Sequence, residues 1–67
     1  MLTAFDVRLR YLRELIRDYA AKAPPTLQAQ ADANADIELH DLDERLMGCE
    51  TNDEADALVR EWVRVWA

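Results

Sequence analysis

The sequence predicts an all-α fold, a compact small bundle of three to four helices in a single helical domain over residues 1–67. Apolar residues recur at spacings of three and four along most of the chain, the repeat of one helix face. There is one glycine, Gly48, and no run of β-branched residues alternating with polar ones as a strand requires. The prolines form one adjacent pair, Pro24-Pro25, which divides the first apolar stripe from the rest.

Thr3 is placed to cap the first helix, with Asp6 three residues on, where a carboxylate favours a helix start. Leu2, Phe5, Leu9, Leu12, Ile16 and Tyr19 then make one stripe, extended by Ala20 and Ala23. That helix is expected to end near Ala23, because Pro24 and Pro25 remove donors and push the preceding residues toward extended backbone. Thr26 is a candidate cap for the next segment. Leu27, Ala31, Ala35, Leu39, Leu42, Leu46 and Cys49 fall close to one face, as a single helix from about 27 to 47 would place them. Ile37 would then point into solvent, and Asn34 and Asp36 are better caps than helix-interior residues. The sequence reading therefore favours a break around Asn34–Asp36, with a short second helix and a third from about 37 to 47.

Gly48 is expected to supply a left-handed residue that ends this segment. Thr51-Asn52-Asp53-Glu54 reads as a capping box, with Thr51 at the cap and Glu54 three residues on. It opens a last helix from about Asn52 to Val65. On that helix Ala55, Leu58, Val59, Trp62, Val63, Val65 and Trp66 share an arc of roughly 160° at 100° per residue. Asp53, Glu54, Asp56, Arg60, Glu61 and Arg64 take the other side. The first and last helices are expected to form most of the core.

Charge is divided along the chain. Ten of the fourteen carboxylates fall between Asp32 and Asp56, with Arg45 the only base among them. The first helix runs the other way, with Arg8, Arg10, Arg13 and Arg17. A net charge of −6 argues against direct binding of DNA, RNA or anionic membrane, since phosphate contacts need Lys and Arg. It favours a protein partner with a basic surface. One cysteine allows no internal disulfide, and the start of the chain carries no basic stretch leading into an apolar run. A cytoplasmic location is the expectation.

Local motifs for chemistry are few. Asp32-Ala-Asn34-Ala-Asp36 places oxygens at alternate positions and resembles the start of an EF-hand calcium loop, with Leu39 at the usual apolar position. Ile37 stands where that loop needs glycine, and Asp43 where it has a bidentate Glu. A calcium-binding module through Asp32, Asn34 and Asp36 is the weaker alternative function. Asp36, His40 and Glu44 are spaced four apart, but zinc sites draw on more than one His or Cys. No metal and no cofactor is expected. There is no serine, His40 and Cys49 carry no shared signature, and a single glycine excludes glycine-rich phosphate loops. The chain is expected not to be an enzyme.

The expected function is a non-enzymatic protein-binding inhibitor or regulator that sets an acidic surface against a basic, nucleic-acid-binding type of protein. The carboxylates assigned to that surface are Glu38, Asp41, Asp43, Glu44, Glu50 and Asp53. Arg10, Arg13 and Arg17 are expected to pair with acidic residues of the same molecule. The alternative is a helical homodimeric structural or assembly protein, joined through a second stripe on helix 1, Val7, Tyr11 and Leu15, with Trp62 and Trp66 as further candidates. In general character (tiny, acidic, helical, without motifs) the chain resembles small inhibitors encoded by phages and mobile elements, such as anti-CRISPR proteins or DNA mimics. The likeness is one of size and charge, and no residue motif carries it.

Overall fold

In a computed structural model, described over residues 2–67, the chain folds as three α-helices: α1 (Ala4–Ala21), α2 (Gln28–Met47) and α3 (Asn52–Trp66). A 3-10 turn at Pro25–Leu27 joins the first two. No strand occurs among the described residues, so the all-α bundle is the fold. The helices run up, down and up, with α1 packed along both of the others.

The start of α1 follows from two side chains. Thr3 Oγ1 accepts the Asp6 N–H at 3.1 Å, and the Asp6 carboxylate accepts the Thr3 N–H at 3.0 Å. This is a complete reciprocal cap, with aspartate in the role usually given to glutamate. The bonds from the Thr3 backbone and hydroxyl hold the Asp6 carboxyl below its ordinary pKa. The helix ends at Ala21, short of Ala23. Lys22 and Ala23 still donate to Asp18 and Ala20 carbonyls, both at 3.1 Å, in a tightening turn before Pro24.

Thr26 does not cap α2. It lies inside the 3-10 turn, and Leu27 holds the cap position with no side-chain bond. The junction is tied instead by Gln28, whose amide donates to the Ala20 carbonyl and to the Asp32 carboxylate, both at 2.9 Å. The expected break at Asn34–Asp36 is absent, and α2 is continuous. Ala31, Ala35, Leu39, Leu42 and Leu46 stay in phase only if the helix is unbroken. Keeping that face in contact with α1 outweighs leaving Ile37 65% exposed.

Gly48 is not left-handed. Its φ of −80° and ψ of −9° are right-handed, and its N–H bonds to the carbonyls of Glu44 and Arg45. No described residue has positive φ. The expected box at the next helix is half formed. Thr51 Oγ1 accepts the Glu54 N–H at 3.1 Å, but the Glu54 carboxylate accepts from Glu50 N–H, one residue before the cap, at 2.9 Å.

The core is built mainly by α1 and α2, not by the first and last helices. Leu12, Ile16 and Ala20 of α1 meet Ala35, Leu39 and Leu42 of α2, and Val59 is the one fully buried residue of α3. Trp62, Val63 and Trp66 pack against this cluster while remaining half-buried. With only Val59 fully buried and these three packed against the cluster from outside, α3 closes the core from one side. Leu2, Tyr19 and Val65, which spacing put on apolar stripes, are exposed. No helix is long and apolar enough to cross a membrane.

Candidate protein-binding surface

The charged side chains sort themselves by which neighbour they meet. Arg13 of α1 bonds Asp43 of α2 at 2.5 Å, and Arg8 of α1 bonds Asp56 of α3. Asp56 also takes Arg60, one turn on, at 2.8 Å. Along α2, Arg45 pairs with Asp41 at 3.1 Å, and His40 sits 3.0 Å from Glu44. Lys22 pairs with Asp18 at 3.0 Å and Arg64 with Glu61 at 3.6 Å. Among the described residues, Arg10 and Arg17 make no ion pair, so internal pairing accounts for Arg13 alone of the three expected.

The six carboxylates assigned to one surface do not share a face. Asp43 turns toward α1, and Glu38 and Asp41 lie on the α3 side of α2, where both line a cleft with Arg45, Trp62 and Trp66. Glu44 points outward beside His40. Glu50 and Asp53 stand at the far end, in the α2–α3 turn and the first turn of α3. Asp43 and Asp41 are held by Arg13 and Arg45, whereas Glu38, Glu50 and Asp53 have no cationic partner among the described residues. A helix repeat turns residues five apart by roughly 140°, so Glu38 and Asp43 were bound to diverge once α2 was continuous.

The proposed dimer stripe is divided as well. Val7 and Tyr11 are about half exposed on the outer face of α1, at 55% and 48%, and Leu15 is half-buried beside them. Trp62 and Trp66 lie elsewhere, against the core. The Arg45 guanidinium stands over the Trp62 ring at 6.0 Å, and Trp66 meets Tyr19 edge-on at 5.5 Å.

A groove that the sequence reading missed opens where α3 ends. It holds about 320 Å³, with Ile16, Ala20, Ala31 and Ala35 as floor, Tyr19, Ile37 and Trp66 as walls, and Asn34 and Glu38 also in its lining. Ala31 and Ala35 leave space that larger residues would fill, while Tyr19 and Ile37 leave apolar surface at the rim. The pairing of small residues on one helix with an unplaced Ile37 was the available signal in the sequence. Asp32 and Asp36 border this groove on the α1 side, sharing Ala20 and Ala35 with it, and Arg17 lies near them. Glu38 and Asp41 border it on the α3 side, where Trp66 is common to both clefts.

Asp32, Asn34 and Asp36 lie within about one turn of the continuous α2, with Asp32 and Asp36 on one face and Asn34 turned to the opposite side, so the three oxygens do not converge and form no loop. Among the described residues no three His, Cys, Asp or Glu side chains come close enough to hold a metal ion. Cys49 is a free thiol that donates to the Arg45 carbonyl at 3.4 Å.

Fold and surface together define a small three-helix bundle with unevenly matched charge and a mainly apolar groove at the end of α3. Compared with family models, curated proteins and solved structures, the chain has no match in any of the three.

Proposed function

We propose that the chain is a non-enzymatic protein-binding inhibitor or regulator whose unpaired surface carboxylates engage a basic surface of a protein partner. The observation that supports this is the charge left over inside the fold. Among the described residues, Asp36, Glu38, Glu50 and Asp53 have no cationic partner, and Arg10 and Arg17 pair with no carboxylate. Uncancelled like charge opposes compaction and is relieved when a basic surface covers it. Carboxylates spaced along a helix can stand where a partner binds phosphates. The likeness to small inhibitors of phages and mobile elements, such as anti-CRISPR proteins or DNA mimics, rests on size and charge.

The test is capture from the native host with the wild-type chain and with a variant carrying Glu38→Gln, Glu44→Gln, Glu50→Gln and Asp53→Asn. Asp43 is left in place because its bond to Arg13 belongs to the fold. A partner that is lost in the variant, and whose binding weakens steeply with salt, supports the reading. Binding unchanged by both would remove it.

The exposure of Val7 and Tyr11 on α1 favours a second reading, a homodimer through that face. Sedimentation showing only monomer at micromolar concentration would exclude it.

A further inference from the structure

We infer that the groove at the end of α3 seats the apolar stripe of a basic amphipathic helix supplied by the partner. The inference rests on the proposed acidic-surface function and names what that surface takes. The groove is lined mainly by apolar side chains from all three helices, with Asn34 and Glu38 of α2 also in its lining, and its volume of about 320 Å³ suits one or two large aliphatic or aromatic side chains. Two of its walls, Tyr19 and Ile37, are 72% and 65% exposed, so apolar surface is already presented to an incoming chain.

The carboxylates decide what that chain must be. Asp32 and Asp36 border the groove along one flank of α2, and Glu38 and Asp41 along the other. Asp36 and Glu38 have no cationic partner among the described residues, while Asp32 accepts only from the Gln28 amide and Asp41 pairs with Arg45. A helix whose apolar stripe has Lys or Arg on both margins matches carboxylates on both sides, Asp32 and Asp36 on one flank and Glu38, itself part of the lining, with Asp41 on the other. An acidic segment would be repelled from both margins. A second copy of this chain fits poorly, since the outer face of α1 mixes Arg10 and Arg17 with Glu14 and Asp18. Arg17 lies on one margin and lowers its charge without reversing it.

The test uses a displayed library of helix-forming peptides of about eighteen residues, selected against the full chain. Trp62→Phe leaves Trp66 as the one indole reporter. Enriched peptides should carry an apolar stripe bounded on both sides by Lys or Arg, and their binding should shift Trp66 emission to shorter wavelength. Ile37→Gln and Ala31→Leu, which remove a wall and fill the floor, should each weaken binding by about tenfold or more. Asp36→Asn with Glu38→Gln should weaken it and flatten its salt dependence. Ile37 is largely exposed, so its replacement leaves the fold intact, and unchanged thermal melting verifies this.

Selection of peptides without basic margins overturns the inference. So does undiminished binding by Ile37→Gln and Ala31→Leu. If that binding still falls with salt and with the carboxylate changes, the acidic surface stands and only the groove is refuted. If binding depends on Ile37 but ignores salt and the carboxylates, the acidic-surface function fails with it.

Discussion

Ile37 and Leu42 lie on the same helix and report opposite things about it. Leu42 is fully buried between α1 and α2, whereas Ile37 is 65% exposed. Leu42→Ala removes methyl groups from a closely packed site and is expected to cost about 3 kcal/mol. In a domain of this size about 1 kcal/mol moves the melting temperature by roughly 4–8 °C, so the fall should exceed about 10 °C. For Ile37 only about a third of the side chain is covered, and full burial of an isoleucine contributes about 1.5–3 kcal/mol. The part at stake is therefore about 0.5–1 kcal/mol, and the higher helix propensity of alanine returns about 0.4 kcal/mol of it. Ile37→Ala should change stability by under about 0.6 kcal/mol. Asn34→Ala sharpens the contrast: inside a continuous helix it stabilises by about 0.5 kcal/mol, whereas removal of a true cap would cost about 1 kcal/mol. Urea unfolding of the three variants, followed by circular dichroism at 222 nm, measures all of these differences. If Ile37→Ala lost as much as Leu42→Ala, or Asn34→Ala were destabilising, α2 would be broken at Asn34 and the packing described here would be wrong.

Gly48→Ala should raise the melting temperature slightly, by about 0.5 kcal/mol of stability, because φ is −80° and a Cβ would meet nothing nearer than the Arg45 carbonyl at 3.5 Å. A loss of more than about 1 kcal/mol would mean a left-handed residue there after all. Arg13 and Asp43 should couple by about 0.2–1 kcal/mol in a double-mutant cycle, less at high salt, since both side chains are close to half exposed. The Asp6 carboxyl is held below its ordinary pKa by the Thr3 backbone and hydroxyl, so its contribution is present above the unfolded-state value and disappears as pH falls through the folded one. Acid titration of thermal stability should show this loss in the wild type, and a smaller one in Asp6→Asn. An Asp6 carboxyl carbon that titrates in the ordinary range by NMR would contradict the cap.

Local signals were legible where one short segment decides the outcome. Thr3 with Asp6, the Thr51 cap and the stop before Pro24-Pro25 all act within a few residues of chain and are found where the spacing put them, whereas the Glu54 half of the second box goes to Glu50 instead. The misjudged places are those where a local preference lost to packing. Asn34 and Asp36 prefer a helix end, but the face from Ala31 to Leu46 buries against α1 only if the helix runs through them. Thr26 is a good cap by type, yet the 3-10 turn leaves it outside the cap position, and Gln28 ties the junction through Ala20.

The candidate surface divides in the same way. The sequence by itself determined that the chain is helical, that carboxylates concentrate between Asp32 and Asp56, and that four arginines line α1, because composition and the 3.6-residue repeat are properties of the chain alone. Only the tertiary structure decided which carboxylates those arginines consume. Asp43 and Asp56 are drawn into bonds to α1, while among the described residues Asp36 and Glu38 stay unpaired at a groove made by three separate helices. An ion pair or a groove wall depends on residues tens of positions apart meeting in space, and their meeting is set by the crossing of the helices, which no single segment encodes.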